Sequence, residues 1–116
     1  MYKALKISPM IPSYDFEITK NFFVDIFGFE VVLDSSVYMI FSKSDLTVHI
    51  LQAGPVIGQM EFYLEVDDLE VLWDSIKNKL IGIKVREPFD REYGMREAHI
   101  EIPGTKTLLF AGMVIK

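Results

Sequence analysis

Cysteine is absent from this chain of 116 residues. No disulfide framework, thiolate nucleophile or zinc–thiolate site can therefore form. Long apolar runs are missing as well. No segment approaches the roughly 20 consecutive apolar residues of a membrane helix, so no membrane partner is expected. Cationic residues are few: 12 Lys and Arg stand against 17 Asp and Glu, a formal charge of −5. The densest basic set, Lys77, Lys79, Lys84 and Arg86, is too sparse to neutralise a phosphate backbone, which argues against nucleic acid. The start MYKALKISPMIP lacks the basic start and apolar run of a signal peptide, so a cytoplasmic location is expected. There is no Gly-rich phosphate loop, H-E-x-x-H, G-x-S-x-G or nucleotide fingerprint, which removes the commonest hydrolase and nucleotide sites.

What remains is half hydrophobic and one quarter charged, the balance of a globular chain whose length suits a single domain. Its main feature is a repeat. Residues 15–31 read DFEITKNFFVDIFGFEV and residues 68–85 read DLEVLWDSIKNKLIGIKV. Asp15 matches Asp68, Glu17 matches Glu70 and Gly28 matches Gly82, with apolar residues retained between them. Leu69, Leu72, Ile76 and Leu80 form one apolar stripe at helical spacing. The first copy is greasier, with Phe22, Phe23 and Phe27 assigned to the core. Asp15 and Asp68 stand at the N-cap positions and Gly28 and Gly82 at the exits.

Extended segments surround both helices. KISPMIPS precedes the first, and FEVVLD, VYMIFS and LTVHILQ follow it; MEFYLEV precedes the second, and IKVRE, EAHIEI and TKTLLFAG follow. The order is β-α-β-β-β twice, over residues 1–53 and 59–116, with GPVIG (54–58) as the link. Alternation then sorts the faces. Phe62, Leu64 and Val66 point toward the helix, and Glu61, Tyr63 and Glu65 point away. His49 opposes Val48 and Ile50, while Glu97, His99 and Glu101 oppose Ala98, Ile100 and Ile102. Each sheet thus has an oily side and a second side carrying His, Glu and Tyr.

The duplicated module, D-x-E-x(4)-F-F followed by FGFEVV, and the closing YGMREAHIEIPGTKTLLF resemble the vicinal oxygen chelate superfamily, closest in pattern to its bleomycin-resistance-type members. The resemblance covers essentially the whole chain. It implies an α+β fold of two βαβββ modules whose curved mixed sheets form a cup, completed across the two-fold axis of a homodimer. It also implies a small-molecule site that holds a cationic or aromatic ligand, with no cofactor. The expected ligand contacts are His49, Glu61, Tyr63 and Tyr38, with Tyr93, Met95 and Arg96 at the rim. Metal-dependent relatives place donors on four strands. Carried over by spacing, those positions fall near Ser8, His49, Glu61 and Leu109, and two of them are poor donors, so no metal is expected. The alternative is a metal-dependent lyase, isomerase or dioxygenase with an atypical ligand set. A partner-binding module is a third class.

Overall fold

A computed structural model describes residues 1–116. The first module places β1 (Met10–Ser13), α1 (Phe16–Asn21), β2 (Glu30–Asp34), β3 (Tyr38–Lys43) and β4 (Leu46–Gln52) in sequence. The second repeats the order with β5 (Met60–Glu65), α2 (Leu69–Ile76), β6 (Val85–Asp90), β7 (Met95–Glu101) and β8 (Thr107–Val114). Each half makes its own four-stranded mixed sheet, ordered β1-β4-β3-β2 and β5-β8-β7-β6. In both, the strand before the helix pairs in parallel with the last strand, and the other pairings are antiparallel. No helix is long and apolar enough to cross a membrane.

Both helices start as their sequences dictate. The Asp15 carboxylate accepts from the Ile18 amide at 3.3 Å and the Asp68 carboxylate from the Val71 amide at 3.2 Å. Such caps satisfy amides that have no partner inside the helix, a gain of about 1 kcal/mol each. Gly28 and Gly82 leave the helices at φ 73° and 82°, a region where a Cβ would be strained. Between Phe22 and Ile26 the first helix widens into a π turn, closed by the Phe27 amide on the Phe22 carbonyl at 3.2 Å. The wider turn lets two adjacent residues, Phe22 and Phe23, both be fully buried.

Those phenylalanines belong to one core of 14 buried residues drawn from both modules, including Ile11, Phe41, Ile50, Ile76, Ile100 and Leu109. Phe62, Leu64 and Trp73 pack on its border. The helix-side faces of the two sheets therefore share a core, and the opposite faces stay open. The strand before α1 is shorter than KISPMIPS suggests, because regular pairing begins only at Met10. Proline at 12 is tolerated on β1 because that strand lies at the edge of its sheet, where a missing N–H breaks no ladder. β6 is likewise an edge strand, and Pro88 sits at its register shift, between Arg86 and Phe89.

Candidate functional site

The open face of the second sheet carries three rows of side chains, fixed by strand register. Glu61, Leu108 and Glu101 align across β5, β8 and β7. Next come Tyr63, Phe110 and His99, continued by Arg86 on β6. The third row is Glu65, Gly112 and Glu97, continued by Phe89. An aromatic strip thus lies between two rows that contain carboxylates. Within the strip the His99 and Phe110 rings are stacked, with centroids 3.8 Å apart and planes 17° from parallel. Phe89 meets His99 edge-on at 5.1 Å, and the Arg86 guanidinium lies 3.6 Å over the Phe89 ring.

At the end of the strip is a fully buried carboxylate. Glu97 has no accessible surface, yet it accepts hydrogen bonds from four side chains. His99 Nε2 lies 2.5 Å from Oε2, Arg91 donates to Oε2 at 3.4 Å, Tyr63 donates to Oε1 at 3.4 Å, and Tyr93 donates to Oε1. Burial alone would raise the carboxyl pKa. The hydrogen bonds from Tyr93 and His99, with the charges of His99 and Arg91, outweigh that and hold it below the ordinary carboxylate value. The tyrosines move the other way. Tyr63 is pushed up to about 12, first by desolvation and then by the Glu97 charge. Tyr93 is raised chiefly by its hydrogen bond to Glu97. Gly112 makes this geometry possible: a Cβ there would lie 2.0 Å from the Tyr63 hydroxyl oxygen. Only glycine on β8 lets the phenol lean across the strand toward Glu97.

The residues singled out from sequence fall into separate groups. Tyr38 and His49 meet on the open face of the first sheet, where Tyr38 Oη is 2.6 Å from His49 Nδ1. Their neighbours there are apolar: Met10 and Ile40 align with His49, and Pro12 and Leu51 with Tyr38. Glu61, Tyr63, Tyr93 and Met95 belong to the second sheet and its β6–β7 turn. Glu61 is exposed and Tyr63 is 41% accessible, while Phe62 and Leu64 pack on the core. No hydrogen bond links His49 to the second sheet. An apolar cavity of about 180 Å3 lies on the core side of the sheets, against Phe23, Phe27, Val48, Phe62, Leu64 and Leu109, with Tyr63 at its margin.

Arg96 departs from expectation. One residue from Glu97 on the same strand, it points to the opposite face. There its guanidinium bonds Glu70 on α2 at 2.7 Å and Asp90 on β6 at 2.9 Å, so it tethers a helix instead of forming a rim. Met95 shares the parity of Glu97 and starts β7. Glu97, His99, Phe110 and Arg91 are the residues that the candidate list lacks. The signal for two of them was present, since Glu97 and His99 alternate on the polar face.

The donor positions carried over from metal-dependent relatives do not fit a metal. Leu109 is buried in the core on the Phe62 side of its strand, away from Glu61. Ser8 Oγ is engaged by Thr47, and no group of three or more His, Asp or Glu side chains converges anywhere.

No family model matches the chain, and no curated protein matches it by sequence. Solved structures do. A bleomycin resistance determinant encoded on a transposon superposes with a TM-score of 0.81 at 23% identity, over 96% of this chain and 98% of that one. The fold is that of the vicinal oxygen chelate superfamily. A bleomycin-binding protein from bleomycin-producing Streptomyces verticillus, complexed with copper(II)-bleomycin, gives a TM-score of 0.80 at 18% identity, over 100% and 99% of the two chains. A lactoylglutathione lyase from Agrobacterium tumefaciens gives 0.75 at 18% identity, over 96% and 94%. The same vicinal oxygen chelate fold thus serves both binding proteins and enzymes among these neighbours, and the choice between them rests on the site.

Proposed function

We propose that this chain is a cytoplasmic small-molecule binder that captures a flat, cationic ligand without transforming it. The observation that carries this reading is the aromatic strip of Tyr63, Phe110 and His99 between the Glu61–Glu101 and Glu65–Glu97 rows. Aromatic faces supply contact area for a planar ring, and flanking carboxylates supply complementary charge for a cation. The bleomycin-binding neighbours favour binding over catalysis, and the donor positions favour it too, because Leu109 in the core removes one ligand a metal enzyme would need.

Calorimetric titration with metal-free bleomycin tests the reading, with saturable one-site binding expected. Glu61 is exposed, so Glu61→Gln is expected to shift stability by no more than about 0.5 kcal/mol. It should weaken bleomycin binding severalfold at low salt and less at high salt, where the charge is screened. Absence of binding at millimolar bleomycin, or an affinity indifferent to Glu61→Gln at every salt concentration, would reject the proposal.

We infer further that the working unit is a homodimer. In one chain the open face of the first sheet, with Met10, Ile40, Leu51 and the Tyr38–His49 pair, is uncovered, and Met10 is 47% accessible. A second copy laid two-fold symmetrically would set such a face over the aromatic strip of its partner and roof the site. Sedimentation at micromolar concentration is expected to give twice the mass of one chain, and a monomer there would rule the arrangement out.

A further inference from the structure

The two histidines of the open faces are not equivalent. His49 already has its Nδ1 engaged by the Tyr38 hydroxyl. His99 has only Nε2 engaged, by Glu97 Oε2 at 2.5 Å. An ionised carboxylate has no hydrogen to give, so the hydrogen of this bond sits on His99 Nε2. In the neutral ring that tautomer leaves Nδ1 as a bare acceptor. Nδ1 makes no hydrogen bond within the protein. It is not a buried orphan either, because Thr107 Oγ1 alone is buried without a partner. Nδ1 therefore keeps some contact with solvent, on a side chain 16% accessible. The ring cannot readily turn to hide it, being stacked flat on Phe110 and abutted edge-on by Phe89.

Resting on the binding function proposed above, we propose that His99, in its neutral form, selects ligands whose flat ring carries a hydrogen-bond donor, an N–H or an O–H, with Glu97 as the positioning residue that fixes its tautomer. The division of labour follows from the rows. Glu61, Glu65 and Glu101 read positive charge, which a quaternary or alkylated ligand carries equally well. The Nδ1 acceptor belongs to the aromatic strip itself, on the ring stacked against Phe110.

Two measurements test this. In protein labelled with 15N in its histidines, in mildly alkaline buffer, His99 is expected to show an acceptor-type shift at Nδ1 and a donor-type shift at Nε2. His99→Phe identifies the signals by their loss. The reverse pattern, or two donor-type shifts, would overturn the proposal. In Glu97→Gln, read at a temperature where it is folded, the side-chain amide can donate to Nε2, and the hydrogen is expected to move to Nδ1. Binding of tryptamine is then compared with binding of its ring-N-methylated counterpart, which has the same charge and the same flat ring but carries a methyl in place of the ring donor. One net hydrogen bond corresponds to a preference of about five- to tenfold for tryptamine. His99→Phe keeps a flat ring on Phe110 and should bring that ratio close to one. Equal affinities in the unmodified protein would overturn the selection role even with the tautomer as stated. If neither amine binds, the flat-cation function fails and the selection role falls with it, while the tautomer is still decided by the 15N shifts.

Discussion

Glu97→Leu is expected to destabilise the fold by about 2–3 kcal/mol, which for a chain of this size lowers the melting temperature by roughly 10 °C. The direction is not obvious, because replacing a buried charge with a hydrocarbon of similar volume is often neutral or stabilising. What decides the sign here is the number of donors aimed at one carboxylate. Arg91, His99, Tyr63 and Tyr93 all lose their acceptor. Several of them reach solvent and can rehydrate, with the Arg91 side chain 27% accessible and Tyr93 50%. The loss should therefore fall below the 3–5 kcal/mol typical of breaking a fully enclosed pair. Glu97→Gln keeps the shape and an oxygen for the two tyrosines but sets amide hydrogens against the Arg91 guanidinium, and is expected to lose less than the leucine variant. The pH dependence gives an independent check. The Glu97 pKa lies below its ordinary value in the folded state, so its contribution is fully present above the unfolded carboxylate value of about 4.3 and disappears as pH falls through the folded value. Urea midpoints measured downward from neutral pH should fall more steeply for the unmodified protein than for Glu97→Leu. Parallel profiles, or a leucine variant as stable as its parent, would mean the network is not stabilising.

That network marks the boundary of what the sequence disclosed. Asp15, Asp68, Gly28 and Gly82 announce both helices, because capping and left-handed exits are local chemistry. Phe62 and Leu64 declare their face by simple alternation. The π turn at Phe22–Ile26 was not legible, since a run of apolar residues fits three or four faces of a helix and only packing chooses the wider turn. The same limit applies to the site. Alternation puts Glu97 and His99 on the polar face, but the approach of Tyr63 depends on a register two strands away and on Gly112 between them. Arg96 shows how narrow the margin is. A loop ending two residues earlier, at Gly94, makes it part of β7, and strand parity then sends it to α2. The carboxylate beside it, Glu97, is the centre of the arrangement.

Gly104→Ala is expected to be among the most damaging single-methyl changes in the chain, although it lies in the β7–β8 turn and outside the aromatic strip. Three penalties coincide there. The residue has φ 80°, where a Cβ brings strain of about 1–2 kcal/mol. The added carbon would sit 2.6 Å from Thr19 Oγ1 and 2.7 Å from the Asp15 carbonyl oxygen. The second of these is backbone and cannot rotate away. Moving the turn outward would in turn break a joint between the modules. The Tyr14 amide donates to the Gly104 carbonyl at 2.9 Å, and Thr19 Oγ1 donates to the Pro103 carbonyl at 2.7 Å. Ser13 Oγ, also fully buried, lies 2.8 Å from Thr19 Oγ1 and shares that hydroxyl. Separating the modules would leave these groups without partners, adding about 1–3 kcal/mol for each one stranded away from water. A total of about 3–5 kcal/mol is expected, large against the 5–15 kcal/mol that holds a typical domain together. Gly82→Ala provides the control. It has nearly the same φ, 82°, but nothing within 4 Å of the added carbon, so it should lose only the strain of about 1–2 kcal/mol. Chemical denaturation of the two variants side by side separates conformation from contact. Equal losses would show that the inter-module joint at Pro103–Gly104 contributes nothing, whereas a loss at least twice as large for Gly104→Ala identifies it as the contact that fixes one module against the other.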